Sequence, residues 1–552
     1  MSVEFRGQNG APVICGALGR FDQRRLGRIA AAFDVPLRTV HEDDRSILMM
    51  DREPLRWQGP RQSGFGWIEA GLWHGGAADW KEAAGKGGCG LAIEGRRRFL
   101  HSAVNGLAGP YWIDSGNATY FASQLDPLVQ AHPDQLSIDW DAWISTIVFR
   151  FPIGERTPFA EISRLPQFST LRRRLGRSRR DSPGWPWAEV EPHLALADGA
   201  DAIVAGLDEV FAPLGRNAIC PLSGGRDSRI VTCALAARGR ASLALTASDD
   251  EGDDYEEGLA APVAERLGVA HETVASDPQA YAADWVERAD RVEHQFVDHA
   301  WLVPVARRID GTELAVGDGF AIDTLFERDS VFYTPETLRG DDPRAASLAM
   351  FDSMRQFGAA ERALAEPFHA ALVGRARELF LAAAKPFEGH PSQATLSLYS
   401  TRTVRGISRY PSGLLGRHAQ VIAPGADDTI ARAALSVRLE EKAGDRLYPA
   451  VFDRLNADVG RLPSTKDTPR RSVRLPRRWR SPPALRHYRE LLADGPLSPH
   501  ISADLEAWLD APDGVELSGD LRLGMEAICL FHSWWGRYGG KLREIDAADV
   551  LD

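Results

Sequence analysis

The run Pro221-Leu222-Ser223-Gly224-Gly225-Arg226-Asp227-Ser228 constrains this chain more than any other stretch. It follows the short apolar segment NAICPL and opens the helically periodic segment SRIVTCALAARG. A strand, a Gly-Gly loop and a helix in that order place the loop beyond the carboxyl end of a strand, where parallel sheets bind ligands. Two glycines let the backbone approach an anion closely. The N–H groups and the positive end of the helix dipole favour phosphate there, and the hydroxyls of Ser223 and Ser228 add donors. Asp227 repels phosphate directly, so its presence implies a Mg²⁺ ion between the two anions.

The surroundings fit a sheet wound on both faces. After residue 186 the pattern alternates: ALADGADAIVAGLDEVFAPL reads as a helix, ASLALTA as a strand, EEGLAAPVAERLGV as a helix with a glycine stop, HETV as extended and ELAVGD as a third buried strand. From about residue 340 onward the chain reads as mostly helical, with a Pro/Arg-rich loop at 461–483. Residues 1–135 differ. Short apolar runs (PVICGAL, GLAIEG, FLHSAV, YWID, ATYFAS) alternate with Gly, Asn and Asp turns, which predicts a β-rich layer. Residues 137–180 read as a connection ending in an arginine-rich segment, and Asp181-Ser-Pro-Gly-Trp-Pro-Trp187 cannot be a helix interior. A domain boundary is expected there, giving 1–185 and 186–552. At 552 residues, two domains are the natural division.

Composition narrows the partners. The net charge of −12 argues against bulk nucleic-acid binding. Two basic stretches, Arg172 to Arg180 and Arg470 to Arg480, stand against it; each reads first as a solvated face and second as a seat for an anionic ligand or acidic peptide. No apolar run reaches the roughly 20 residues needed to span a bilayer. The opening MSVEFRGQNG has no basic start followed by an apolar stretch, so a cytoplasmic protein without membrane contact is expected. Five widely spaced cysteines with no CxxC pair argue against disulfides and structural zinc. Only six of the 65 basic residues are lysines, so a lysine in a polar loop, such as Lys466, invites a specific role.

The loop lacks the lysine of GxxxxGK[ST] nucleotide-binding loops. SGGRDS instead resembles the pyrophosphate loop of the ATP pyrophosphatase ligases, the asparagine synthetase superfamily. The resemblance implies ATP and Mg²⁺ as cofactors, cleavage between the α- and β-phosphates, and transfer of AMP to a carboxylate. Leu222, Ser223, Gly224, Gly225, Asp227, Ser228, Thr246 and Gly317 would then bind the nucleotide. Thr246 to Glu257 looks like the family's strand and acidic loop. Gly317-Asp318-Gly319-Phe320-Ala321-Ile322-Asp323-Thr324-Leu325-Phe326 resembles its second signature, GxGxDExF, with two extra residues before Asp323 and Thr324 in place of Glu. Asp318 or Asp323 would supply the second metal-binding carboxylate beside Asp227, with Asp318 placed also among the catalytic groups. Leu414-Leu415-Gly416-Arg417 and VIAPGADDTIARAAL look like the segment before the family's last helices. Lys466 lies where these enzymes carry a catalytic lysine in a mobile loop, to steady charge on the adenylated intermediate.

The stretch RRRFLHSAVNGLAGPYWIDSGNATYFASQLDPLVQA looks like the glutaminase domain of asparagine synthetases. An active glutaminase carries its cysteine at the mature N-terminus, because its own amino group is the base. Here Ser2 follows Met1, and exposing Cys15 in the echo Cys15-Gly16-Ala17-Leu18-Gly19 would require removal of 14 residues. Two readings follow: a relic strand with a buried thiol, or a processed nucleophile. The fold class implied is α/β, a degenerate glutaminase-like β-sandwich joined to a PP-loop parallel-sheet domain with a helical C-terminal part. Ile153-Gly-Glu-Arg-Thr-Pro-Phe-Ala160 and Ile162-Ser-Arg-Leu-Pro166 resemble the lasso-peptide cyclases, and asparagine synthetases of that branch, at the end of this domain. The function implied is macrolactam closure of a precursor peptide, with a leader-peptide-binding protein and a cysteine protease as partners. An asparagine synthetase or a β-lactam-type synthetase acting on a small carboxylate is the alternative within the fold, and a non-catalytic nucleotide-binding regulator the alternative outside it.

Overall fold

A computed structural model describes residues 10–72, 76–107, 109–248, 254–326, 342–356, 360–470, 477–510 and 519–543. Ser2, the acidic stretch 249–253 and the part of the second basic run at 471–476 lie outside them.

The chain is mixed α/β, with two antiparallel sheets, one parallel sheet and many helices. One antiparallel sheet has the spatial order Ile162–Arg164, Tyr111–Ser115, Ala118–Ala122, Ile14–Gly19, Ser46–Met50, Arg38–Glu42. The other runs Arg177–Asp181, Thr170–Arg174, Arg97–His101, Cys89–Glu94, Ser63–Trp67, Leu55–Gln58. The period-2 alternation of strands decides what lies between them. Ile14, Leu18, Leu48 and Met50 of the first sheet share a core with Trp67, Leu91, Leu100 and Leu171 of the second. The intervening Cys15 and Ala17 point the other way, into a core with Leu26 and Ile29 of the helix Gln23–Ala31.

The five-stranded parallel sheet has the order Ala270–Val274, Ala241–Ala247, Ala218–Pro221, Ala315–Gly317, Val421–Ile422. Both of its faces are covered, as its continuous apolar strands require. Ala218, Cys220 and Ala244 meet the helices Leu196–Phe211 and Asp227–Ala237. Ile219, Leu245 and Val316 meet the helix Val303–Ile309. The strand Ala218–Pro221 is central, and the chain passes first to one side of it and later to the other. Its carboxyl end is therefore a topological switch point, where a crevice opens for ligands.

Two expectations need correction. Residues 137–180 are not a bare connection: they hold the helix Trp140–Phe149 and the strands Ile162–Arg164, Thr170–Arg174 and most of Arg177–Asp181, with Leu171 buried between the two antiparallel sheets. The second basic stretch is not simply a solvated loop, since Arg478 is buried and bonds Asp284 at 2.5 Å. The helix Gly519–Tyr538 packs back onto the helix Trp140–Phe149, with Trp143 5.0 Å from Phe531 and 5.1 Å from Trp534 between ring centroids. Among the described residues no helix is long and apolar enough to cross a membrane.

Candidate functional site

The loop after Ala218–Pro221 is held in an open turn by its own hydroxyls. Ser228 Oγ accepts from the Ser223 N–H at 3.1 Å, and Ser223 Oγ accepts from the Gly225 N–H at 3.1 Å. A Cβ on Gly224 would lie 2.9 Å from Leu259 Cβ and 3.0 Å from Thr465 Cγ2, so glycine there admits the neighbouring helix and the 462–468 loop. The helix Asp227–Ala237 begins at the loop's end and directs its N-terminus toward it. The Gly224 N–H donates to the Glu256 carboxylate at 2.6 Å. A carboxylate of the protein itself is therefore bonded to this backbone group.

Asp227 accepts from the Tyr448 hydroxyl at 2.5 Å. The second signature packs directly against it: a Cβ on Gly319 would stand 2.8 Å from Ser228 N and 2.9 Å from Asp227 Cβ. Asp318, beside that glycine, is almost wholly buried. Its carboxylate accepts from the Phe320 N–H at 2.8 Å and from the Tyr410 hydroxyl at 2.9 Å. Burial pushes the Asp318 carboxyl up to about 6, outweighing both hydrogen bonds. Burial also raises the Tyr410 hydroxyl well above its usual range, with Asp318, Asp227 and Asp323 all adding to the effect. Asp323 is 41% exposed and lies 3.7 Å from Arg402. The packing thus sets Gly319, the residue after Asp318, against Asp227, and Tyr410 lies within the field of all three carboxylates.

Among the described residues no group of three or more His, Cys, Asp or Glu is placed to hold a metal by itself. Mg²⁺ does not require one, since it commonly takes one or two carboxylates and completes its shell with phosphate and water. Asp227 and Asp318 beside a loop of anion-seeking N–H groups fit that donor set.

Thr246 and Gly317 have local duties. The Thr246 hydroxyl is committed to the Leu222 carbonyl at 2.7 Å and to His271 at 2.8 Å, which locks the base of the loop to the neighbouring strand. A Cβ on Gly317 would meet Leu235 Cδ1 at 2.5 Å, so this glycine lets the helix Asp227–Ala237 lie close on the sheet.

Lys466 reaches the same corner. Its ammonium lies 3.6 Å from Asp445, which also lies 3.6 Å from Arg226. The 462–468 segment is hydrogen-bonded to the Ser223–Ser228 loop and the helices around it. The Thr465 N–H donates to Gly224 O at 3.0 Å, Arg229 donates to Leu462 O at 2.9 Å and Tyr255 donates to Thr465 O at 3.3 Å. Glu256, Tyr410, Asp445 and Tyr448 escaped the reading of the sequence. Asp445 sits at a positive φ of 56° after Gly444, a turn visible in the sequence; the other three lie in ordinary helical or apolar contexts that carry no signal.

Cys15 is fully buried, and burial pushes its thiol up to about 12. It is a strand residue under the helix Gln23–Ala31. Compared with protein-family models and with curated proteins, the chain matches none.

Proposed function

We propose that this chain is an ATP-dependent, AMP-forming ligase that activates a carboxylate and joins it to an amine. In this reading residues 186–552 form the PP-loop synthetase unit, and residues 1–185 a glutaminase-like sandwich that has lost its nucleophile. The observation that carries the reading is the Ser223–Ser228 loop at the switch point, with Gly319, the neighbour of Asp318, packed against Asp227. The Ser223–Ser228 loop takes the pyrophosphate part of ATP as the Gly224 N–H exchanges the Glu256 carboxylate for a phosphate oxygen. Mg²⁺ bound at Asp227 and Asp318 would screen the phosphate charge as pyrophosphate leaves. Tyr448 and Tyr410 fix the two carboxylates in place through their hydroxyls. Lys466 supplies a cation at the same corner for charge that develops on the acyl oxygen. Adenylation gives the carboxyl carbon a good leaving group; an amine then forms the C–N bond and AMP departs with the electron pair of the broken C–O bond.

Without a usable Cys15, ammonia from glutamine is not supplied by this chain, which favours an amine carried by the substrate. The substrate we favour is a peptide whose own N-terminus attacks its activated Asp or Glu side chain, a lasso-type macrolactam closure in which one chain supplies both reactants. The test is pyrophosphate release from ATP and Mg²⁺, wild type beside Asp227→Ala. Release with a peptide bearing a free N-terminus and an acidic ring residue, lost in the variant, supports the reading. Release with aspartate and ammonium would move the chain to the small-molecule synthetases. ATP binding with no turnover of either would leave a nucleotide-binding regulator.

A further inference from the structure

The fold gathers arginines that are far apart in sequence into one cleft at the edge of the antiparallel sheets. Its volume is about 1070 Å³, and eight arginines line it against three acids, Asp44, Glu94 and Asp181. The arginines come from three regions: Arg20 and Arg45, residues 96–98, and residues 172–174. With Asp43 and Asp114, which pair with Arg98 and Arg173, five acids face eight arginines, a local excess of three positive charges on a chain whose net charge is −12. Internal pairing accounts for some of them: Arg98 bonds Asp43 at 2.7 Å, and Arg172 lies 2.9 Å from Asp181. Arg20, Arg96 and Arg174 are exposed and carry no ion pair among the described residues.

The cleft wall is built rather than incidental. Arg173 is nearly buried and bonds Asp114 at 3.1 Å and Gly116 O at 2.7 Å, pinning the hairpin Thr170–Asp181 to the neighbouring turn. Gly19, at φ 95°, is the residue that lets Arg173 pass: a Cβ there would lie 2.7 Å from Arg173 Cδ. At the hairpin tip Leu175 adopts φ 50° and is 93% exposed. The two-residue turn Leu175-Gly176 between Arg174 and Arg177 requires positive φ at both positions, and Gly176 takes φ 80°. The apolar side chain of Leu175 is offered to solvent beside the arginines, and the strand Arg177–Asp181 is an outer edge of its sheet.

The geometry points to this cleft as a docking site for an acidic peptide segment with at least one apolar residue. Arginine forks match carboxylates in bidentate geometry, and Leu175 offers the apolar contact. A nucleic acid fits less well. The three acids interrupt the positive surface, and the two aromatic rings of the cleft, Trp80 and Phe99, are buried and present no stacking face. The inference stands apart from the proposed ligase chemistry, since none of these residues belongs to the ATP corner.

Fluorescence anisotropy on the full chain tests it, with a short labelled peptide of alternating glutamate and serine around a central leucine. The same peptide with glutamine for glutamate and an oligothymidylate of equal charge are the controls. The acidic peptide is expected to bind, and the Arg96→Ala/Arg174→Ala double variant to bind about tenfold or more weakly. Leu175→Ser should weaken binding less, and the glutamine peptide should not bind. Equal binding of the glutamine peptide, an unchanged affinity in the double variant, or tighter binding of the oligothymidylate would each overturn the proposal. Both arginines are exposed and unpaired, so the variant is expected to fold, which its melting curve verifies.

Discussion

The Glu256 carboxylate accepts a hydrogen bond from the Gly224 N–H at 2.6 Å, so the loop proposed to grip phosphates is bonded to an anion of the protein's own. A phosphate must displace this charge-assisted bond, which costs about 1.5–3 kcal/mol. Replacing Glu256 with Ala is therefore expected to tighten inorganic pyrophosphate binding by about tenfold, measured by calorimetry. Weaker binding in the variant would show that Glu256 serves the ligand rather than competes with it.

Asp318 allows a prediction about stability in the absence of ligand. Its folded-state carboxyl is raised to about 6, whereas an unfolded chain titrates near the usual value of about 3.9. Between those values the folded state holds the proton more tightly, so this group's contribution to stability falls as pH rises from about 4 to 6 and stays low above. Asp318→Asn should thus raise the melting temperature at pH 7.5 by the equivalent of roughly 1–3 kcal/mol, with little gain at pH 4. It should also abolish pyrophosphate release. A variant less stable at pH 7.5 would refute the assigned burial cost.

Gly319 has no room for a methyl group, with Ser228 N and Asp227 Cβ within 3 Å of where it would sit. Gly319→Ala must push the second signature away from the loop. Pyrophosphate release is expected to fall by a factor of about 100 or more, since small displacements of reacting groups cost that much. Circular dichroism should remain that of the wild type. Full activity in the variant would mean that the two segments need not touch.

Lys466 should act late. Lys466→Ala is expected to keep nucleotide affinity and lose amide formation by about 10²–10³-fold, the range for removal of one charge-stabilising donor. Lys466→Arg should not restore it, because the planar guanidinium is not a point charge. An increase in the KM for ATP with unchanged kcat would assign the residue to binding instead.

The thiols supply a check on the N-terminal unit. All five cysteines are buried, and burial raises each thiol. Native protein should react with no thiol reagent on the timescale in which denatured protein titrates five. Cys15→Ala should leave pyrophosphate release unchanged, and glutamine should not serve as the amine donor. Rapid labelling of Cys15 would revive the processed-nucleophile reading.

The sequence by itself determined the elements whose signals are local. The apolar run before Ser223, the Gly-Gly turn and the helical period after it located the loop, because backbone geometry and side-chain period are properties of neighbouring residues. The strand around Cys15 and the alternation of strands and helices after residue 186 were legible for the same reason. Tertiary structure alone brought the second signature onto the loop, through the packing of Gly319 on Ser228 and Asp227, and buried Asp318 while leaving Asp323 41% exposed. It also chose Tyr448, Tyr410, Glu256 and Asp445 as neighbours of the site, and joined Arg20, Arg96 and Arg174 into one cleft. The Tyr448–Asp227 and Tyr410–Asp318 bonds join residues 221 and 92 positions apart. No local pattern encodes such contacts; they arise when apolar faces of distant elements are buried together and fix the polar groups that ride on them.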